Sequence, residues 1–283
     1  MKTPVLMIHG MNCTGLVWAG FRAYFEAEGV RVYTPTIRPE LRTSFKQDAP
    51  RALRELQFVD YVSELERDVL RIERETGERP AVVGHSMGGL IAQVLMSRDC
   101  VSAAVLISPT APAGVHTPRS RVFWACYGAA RRLGFTRAVI RPDRRMLDRF
   151  VFNALPVEAR APAYDAMVYE SARVFADFSG FAVDESTVRV PVLTVAASRD
   201  RLVPAPLVRR TARKYAARGG EFREYARHAH WLYAEPGWEE PARDIHRWLD
   251  AALLRASHRP PRRATGAAAR IAVAHDRTTA DRA

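Results

Sequence analysis

Residues 81–96 read Ala81-Val82-Val83-Gly84-His85-Ser86-Met87-Gly88-Gly89-Leu90-Ile91-Ala92-Gln93-Val94-Leu95-Met96. A short apolar run leads into Gly-His-Ser-Met-Gly, and a longer helix-like run leads out. This is the order strand, sharp turn, helix. A serine at such a turn is held in a strained backbone conformation that projects its hydroxyl out of the fold. Glycines on either side are needed because a Cβ there would crowd the turn. The pentapeptide alone is a weak pattern; its setting makes Ser86 a candidate nucleophile.

Outward from this turn, strand and helix signals alternate. Val5-Leu6-Met7-Ile8 reads as a buried strand ending at His9-Gly10. Trp18, Phe21 and Phe25 mark one face of a helix that stops at Gly29, and Val30-Arg31-Val32-Tyr33 is the next strand. Residues 36–57 are polar and proline-containing, which predicts a long loop or short helix. Phe58, Val62, Leu65, Val69 and Ile72 predict a long amphipathic helix ending at Gly77. Further strands are expected at 103–107, 190–195 and 221–225, and helices at about 206–217 and 239–254. Strands alternating with helices imply an α/β fold, with a parallel sheet covered by helices on both faces. The stretch between the strands at 103 and 190 is too long for a simple crossover. Residues 109–187 are therefore expected to form an inserted helical lid on a core of residues 1–108 and 188–255.

The chain of 283 residues is long enough for one large domain, and its 48% hydrophobic content is ordinary for a globular protein. No apolar run reaches about 18 residues, so no transmembrane helix is expected. The start is too short in apolar residues for a signal peptide. Cys13, Cys100 and Cys126 have no framework spacing. A cytoplasmic protein with reduced thiols is expected. The net charge is +12. Nucleic-acid binding is not expected from it, because the charge is almost all arginine: only Lys2, Lys46 and Lys214 are lysines. Residues 256–283 are rich in arginine, alanine, proline and threonine without an apolar period, and are expected to be a disordered basic tail.

A serine hydroxyl needs a base within hydrogen-bond reach and a group that orients that base. After a strand–turn–helix serine, the expected chain order is acid, then histidine. Asp200 follows the strand at 190–195, whereas the loop after the preceding strand, 108–118, holds no acid. His230 and His228 follow the final strand. His230 is preferred as base because Trp231-Leu232 can pin the loop beside it, with His228 as the alternative. His85 adjoins Ser86, so its side chain is expected to point away from the serine's. The His228-x-His230 spacing lacks a nearby third ligand, so no metal is expected. Oxyanion donors are expected from the backbone N–H groups of Met87 and Met11.

With these parts in place the chain resembles the α/β-hydrolase superfamily. The resemblance rests on Met7-Ile8-His9-Gly10, Trp18, Gly84-His85-Ser86-Met87-Gly88-Gly89, Val190-Pro191-Val192-Leu193 through Asp200, and His230-Trp231-Leu232. It implies a mostly parallel sheet flanked by helices. It also implies a serine hydrolase of carboxylic esters or thioesters, acting on a small acyl substrate without a cofactor. The chain begins at the His-Gly strand, which implies a compact six-stranded sheet like that of plant-type esterases and hydroxynitrile lyases. Serine at the turn argues against haloalkane dehalogenases and epoxide hydrolases, which place aspartate there. Lyase, cofactor-free peroxidase and acyl-transferring cyclase activities resemble the same triad, as does a non-catalytic receptor of this fold. Residues 119–149 hold nine arginines and two aspartates together with Phe123, Trp124, Tyr127, Leu133 and Phe135. An apolar face there suits an acyl chain, and a basic one an acidic acyl carrier or phospholipid surface.

Overall fold

Four short apolar runs build the centre of the sheet. A computed structural model describes residues 2–115 and 138–258. Its strands are β1 (Val5–Ile8), β2 (Val32–Tyr33), β3 (Ala81–His85), β4 (Ala104–Ile107), β5 (Val139–Ile140), β6 (Glu170–Ser171), β7 (Val192–Ala197) and β8 (Glu221–Tyr225). Every residue of β1, β3, β4 and β7 is buried. Strands covered on both faces read as continuous apolar runs rather than alternating ones, which is what these sequences show.

The main sheet has six strands in the order β2-β1-β3-β4-β7-β8, and every pair in it is parallel. The helices are α1 (Ala19–Ala27), α2 (Phe58–Thr76), α3 (Met87–Ser97), α4 (Arg144–Phe150), α5 (Val157–Asp165), α6 (Ala172–Asp177), α7 (Ala205–Ala216) and α8 (Glu239–Ser257). Side chains alternate across the sheet and separate two cores. Val5, Met7, Val83, Val105 and Leu193 face Phe21 and Phe25 of α1 and Ile245 and Trp248 of α8. Leu6, Ile8, Val82 and Leu106 face Val62, Leu65 and Val69 of α2 and Leu90 and Ile91 of α3. Helix α2 starts where the Asp60 carboxylate accepts from the Gln57 N–H (2.7 Å) and stops at Gly77, whose φ of 73° suits glycine.

From β1 the chain runs outward to β2 and then returns to the other side of β1 to form β3. The strand order therefore reverses between β1 and β3. In open parallel sheets, ligand crevices form beyond the carboxyl ends of the strands at such a switch point. His9-Gly10-Met11 leaves β1 there, and Ser86 leaves β3.

Several expectations are refined. The second strand is only Val32–Tyr33, at the sheet edge. Residues 36–57 hold two 3-10 turns, Pro39–Leu41 and Arg51–Glu55. The stretch between β4 and β7 is not purely helical: β5 and β6 pair antiparallel, and Ser44 bridges to Val168. Two-residue strands fixed by distant partners leave no period in the sequence. Helix α8 continues to Ser257, past the expected start of the tail. The rest of that tail (259–283) and the aromatic residues named between 123 and 135 lie outside the described residues. Among the described residues no helix is long and apolar enough to cross a membrane.

Candidate active site

Strand β3 ends at His85 and α3 begins at Met87, so Ser86 alone makes the turn. Its φ of 53° and ψ of −115° form a sparsely populated backbone conformation. Such a residue costs on the order of 1–3 kcal/mol and persists only where its surroundings enforce it. Here the Ser86 N–H donates to the Ile107 carbonyl (3.1 Å), and the Ser86 carbonyl accepts from Gly89 (3.0 Å) and Thr110 (2.9 Å). From residue 80 to residue 96 every residue is buried except Ser86, which is partly exposed. The strained turn thus holds the one partly exposed residue of an otherwise sealed segment.

Asp200 and His230, 30 residues apart, meet in the buried interior. His230 Nδ1 lies 2.9 Å from Asp200 Oδ2, and both residues are almost fully buried. The other carboxylate oxygen, Oδ1, accepts the backbone N–H groups of Leu202 (2.9 Å) and Val203 (2.8 Å). A carboxylate held this way offers only acceptors, so the proton of the shared bond sits on Nδ1 and leaves Nε2 with its lone pair. His228, the alternative base, is instead directed to Glu235, with Nδ1 3.3 Å from Oε2. The two loops are tied directly as well, since the Arg199 N–H donates to the His228 carbonyl (2.9 Å).

Glu235 holds the His230 loop. Its buried carboxylate accepts the N–H of Ala229 (2.7 Å) and of Trp231 (3.0 Å), the residues on either side of His230. His85 adds a third restraint. Its Nε2 donates to the His230 carbonyl at 2.8 Å, and the two rings lie 4.6 Å apart between centroids. A carbonyl can only accept, so the His85 proton is on Nε2. Burial, and then the nearby His230, hold His85 well below the ordinary histidine range, so it stays neutral. These contacts place His230 beside the residue that precedes Ser86.

The loop after β1 closes the other side. A Cβ on Gly10 would sit 3.2 Å from the Ser86 Cβ and 3.0 Å from His85 Nδ1, so this loop packs directly on the turn. The Ile37 N–H donates to His9 Nε2 (3.0 Å), which leaves the proton on Nδ1 to donate to the Gly10 carbonyl (2.8 Å). The Gly10 carbonyl and the Met11 N–H share one planar trans peptide and point opposite ways. Holding the carbonyl therefore aims the Met11 N–H. Burial, and then the Arg42 charge, depress the His9 pKa to about 3. Met87, the first residue of α3, follows Ser86 directly.

All five residues singled out in the sequence thus lie at the carboxyl ends of the sheet. Ser86 and Met87 sit at the turn, Met11 on the loop packed against it, and Asp200 bonds to His230. Sequence reasoning missed Glu235 and the roles of His85 and His9. The contacts that define them span long sequence separations or run to backbone atoms, and neither leaves a spacing signal.

A parallel sheet covered on both faces, with a strained serine at one strand end and a buried Asp–His pair beyond two later strands, defines the class. The sequence matches the Alpha/beta hydrolase family over residues 5–243, and the chain belongs to that family. Solved structures of similar fold include polyneuridine aldehyde esterase, with 17% identity, 87% of this chain and 99% of that one covered, and a TM-score of 0.63. A methylesterase from Arabidopsis gives 12% identity, coverage of 88% and 99%, and a TM-score of 0.66. A monoacylglycerol lipase from Paleococcus ferrophilus gives 20% identity, coverage of 88% and 96%, and a TM-score of 0.64. At these identities the likeness is one of fold. A search of curated protein sequences finds no match.

Proposed function

We propose that the protein hydrolyses a carboxylic ester or thioester of a small molecule through an acyl-enzyme on Ser86. The observation that carries this reading is the buried Asp200–His230 bond beside a strained, partly exposed serine. His230 Nε2 takes the Ser86 proton as Oγ attacks the carbonyl, and returns it to the leaving group. Asp200 keeps the imidazole oriented and stabilises its cationic form. The N–H groups of Met11 and Met87 bind the oxyanion of the tetrahedral intermediate. Water activated by His230 then releases the acyl group. The names of the similar structures, two esterases and a lipase, support an ester as substrate. The segment 109–187 serves as the lid that shapes the acyl site.

The test is a panel crossing acyl length with ester, thioester and lactone linkages, run on wild type and Ser86→Ala. Loss of at least about 10³-fold in kcat/KM is expected for the variant, together with loss of fluorophosphonate labelling. Labelling of the wild type without turnover of any panel member would point to transfer or lyase chemistry instead. Retained hydrolysis in Ser86→Ala would remove the nucleophile assignment.

A further inference from the structure

Asn12 follows Met11 and has a φ of 57°, in the left-handed region. It is 5% exposed. Its side-chain amide donates twice, to the carbonyls of Ile140 (3.1 Å) and Val168 (2.9 Å). Its own carbonyl accepts from the Val168 N–H (3.0 Å). Ile140 belongs to β5, and Val168 lies just before β6, so both partners come from the stretch between β4 and β7. Asparagine is among the few residues with a side chain that tolerate this conformation. The bonds of Asn12 all run outward, to a part of the chain more than a hundred residues away.

The geometry points to Asn12 as a positioning residue that couples the stretch from β5 to β6 to the oxyanion loop. The Gly10–Met11 peptide is held on its amino side by His9 and on its carboxyl side by Asn12. The Met11 N–H is aimed correctly only while the Ile140 and Val168 carbonyls are in place. Displacement of that stretch, by mutation or by a bound ligand, then acts on stabilisation of the transition state and not only on access. This inference rests on the proposed role of the Met11 N–H.

Two variants separate the possibilities. Asn12→Gly keeps the left-handed backbone and loses both donors; Asn12→Ala loses both donors and adds strain. In Asn12→Gly we expect kcat to fall about 10- to 100-fold, in the range for a misplaced oxyanion donor, with KM changed less than about 3-fold. The Ki of a substrate-shaped trifluoromethyl ketone, whose Ser86 adduct carries an oxyanion, should rise in parallel with the loss in kcat. The Ki of the matching alcohol, which forms no adduct, should stay constant. A role in folding alone would lower the melting temperature without separating the two inhibitors. The inference is overturned if folded Asn12→Gly keeps kcat within about 3-fold of wild type, or if KM carries the whole loss. With Ser86→Ala inactive, either result sinks only the Asn12 coupling. If Ser86→Ala is active, the reading of the site falls and the coupling with it.

Discussion

Gly84 and Gly88 are fixed by backbone, not by side chains. A Cβ on Gly84 would lie 2.2 Å from the Gly88 carbonyl oxygen, and one on Gly88 would lie 2.3 Å from the Ile8 carbonyl oxygen. These are main-chain atoms of β1 and of the turn itself, so no rotamer change relieves the overlap. Gly29 is a different case: its φ is 77°, but nothing lies within 4 Å of a Cβ there. Alanine at Gly29 should cost only the conformational penalty, about 1–2 kcal/mol. Alanine at Gly84 should cost about 3 kcal/mol or more, because β3 and α3 must separate to admit it. Urea denaturation of the two variants checks the contrast. If Gly84→Ala were no less stable than Gly29→Ala, close packing would not be the reason for the glycine. The serine between these glycines was readable because the strand, the glycines and the helix that form its turn are contiguous in sequence. The Glu235 brace on the His230 loop was not, since an acid five residues past a histidine reads as an ordinary surface residue.

At the level of elements, one buried ion pair joins the 36–57 loop to β6. The Arg42 guanidinium donates to the Ile37 carbonyl (2.7 Å), the Tyr169 carbonyl (3.2 Å) and the Glu170 carboxylate (2.8 Å). The Tyr61 hydroxyl of α2 donates to the other Glu170 oxygen (2.5 Å), and Arg42 lies 5.1 Å from the Tyr61 ring centre. Both charged side chains are sealed from solvent, at 1% and 0% exposure. Removing one partner strands the other, so Arg42→Met or Glu170→Leu should each destabilise by about 3–5 kcal/mol. The double variant should be more stable than the sum of the two losses predicts, since it leaves neither charge unpaired. Simple additivity in equilibrium denaturation would mean that the pair does not act as a unit. This network explains why the middle of the chain was the hardest part to read. The sheet and the long helices were legible because their apolar periods are local and repeat over several residues. Arg42 and Glu170, 128 residues apart, look like surface charges until the fold brings them together. The same holds for β5 and β6, whose pairing is set by the tertiary structure around them.

For the whole molecule, His9 and His85, two of the buried histidines at the sheet's carboxyl ends, make stability depend on pH. His9 is depressed to about 3, by burial first and Arg42 second, and His85 is held well below 6.5, by burial first and His230 second. Both are neutral in the folded state and titrate with an ordinary value when unfolded. Between pH 5 and about 6.5 the unfolded chain therefore binds protons that the folded chain does not. Stability contributed by this difference is complete above about pH 6.5 and is lost as pH falls below it. Each histidine adds a slope of up to about 1.4 kcal/mol per pH unit, so the two together approach twice that. The chain already carries a net charge of +12, and further protonation adds self-repulsion in the same direction. Denaturation at a series of pH values from 5 to 7 should show unfolding free energy rising with pH. His9→Gln retains an acceptor for the Ile37 N–H but has no titrating group, and should remove about half of the histidine slope; His85→Gln should do the same at the other position. Slopes identical to wild type in both variants would mean that neither histidine is kept neutral by the fold.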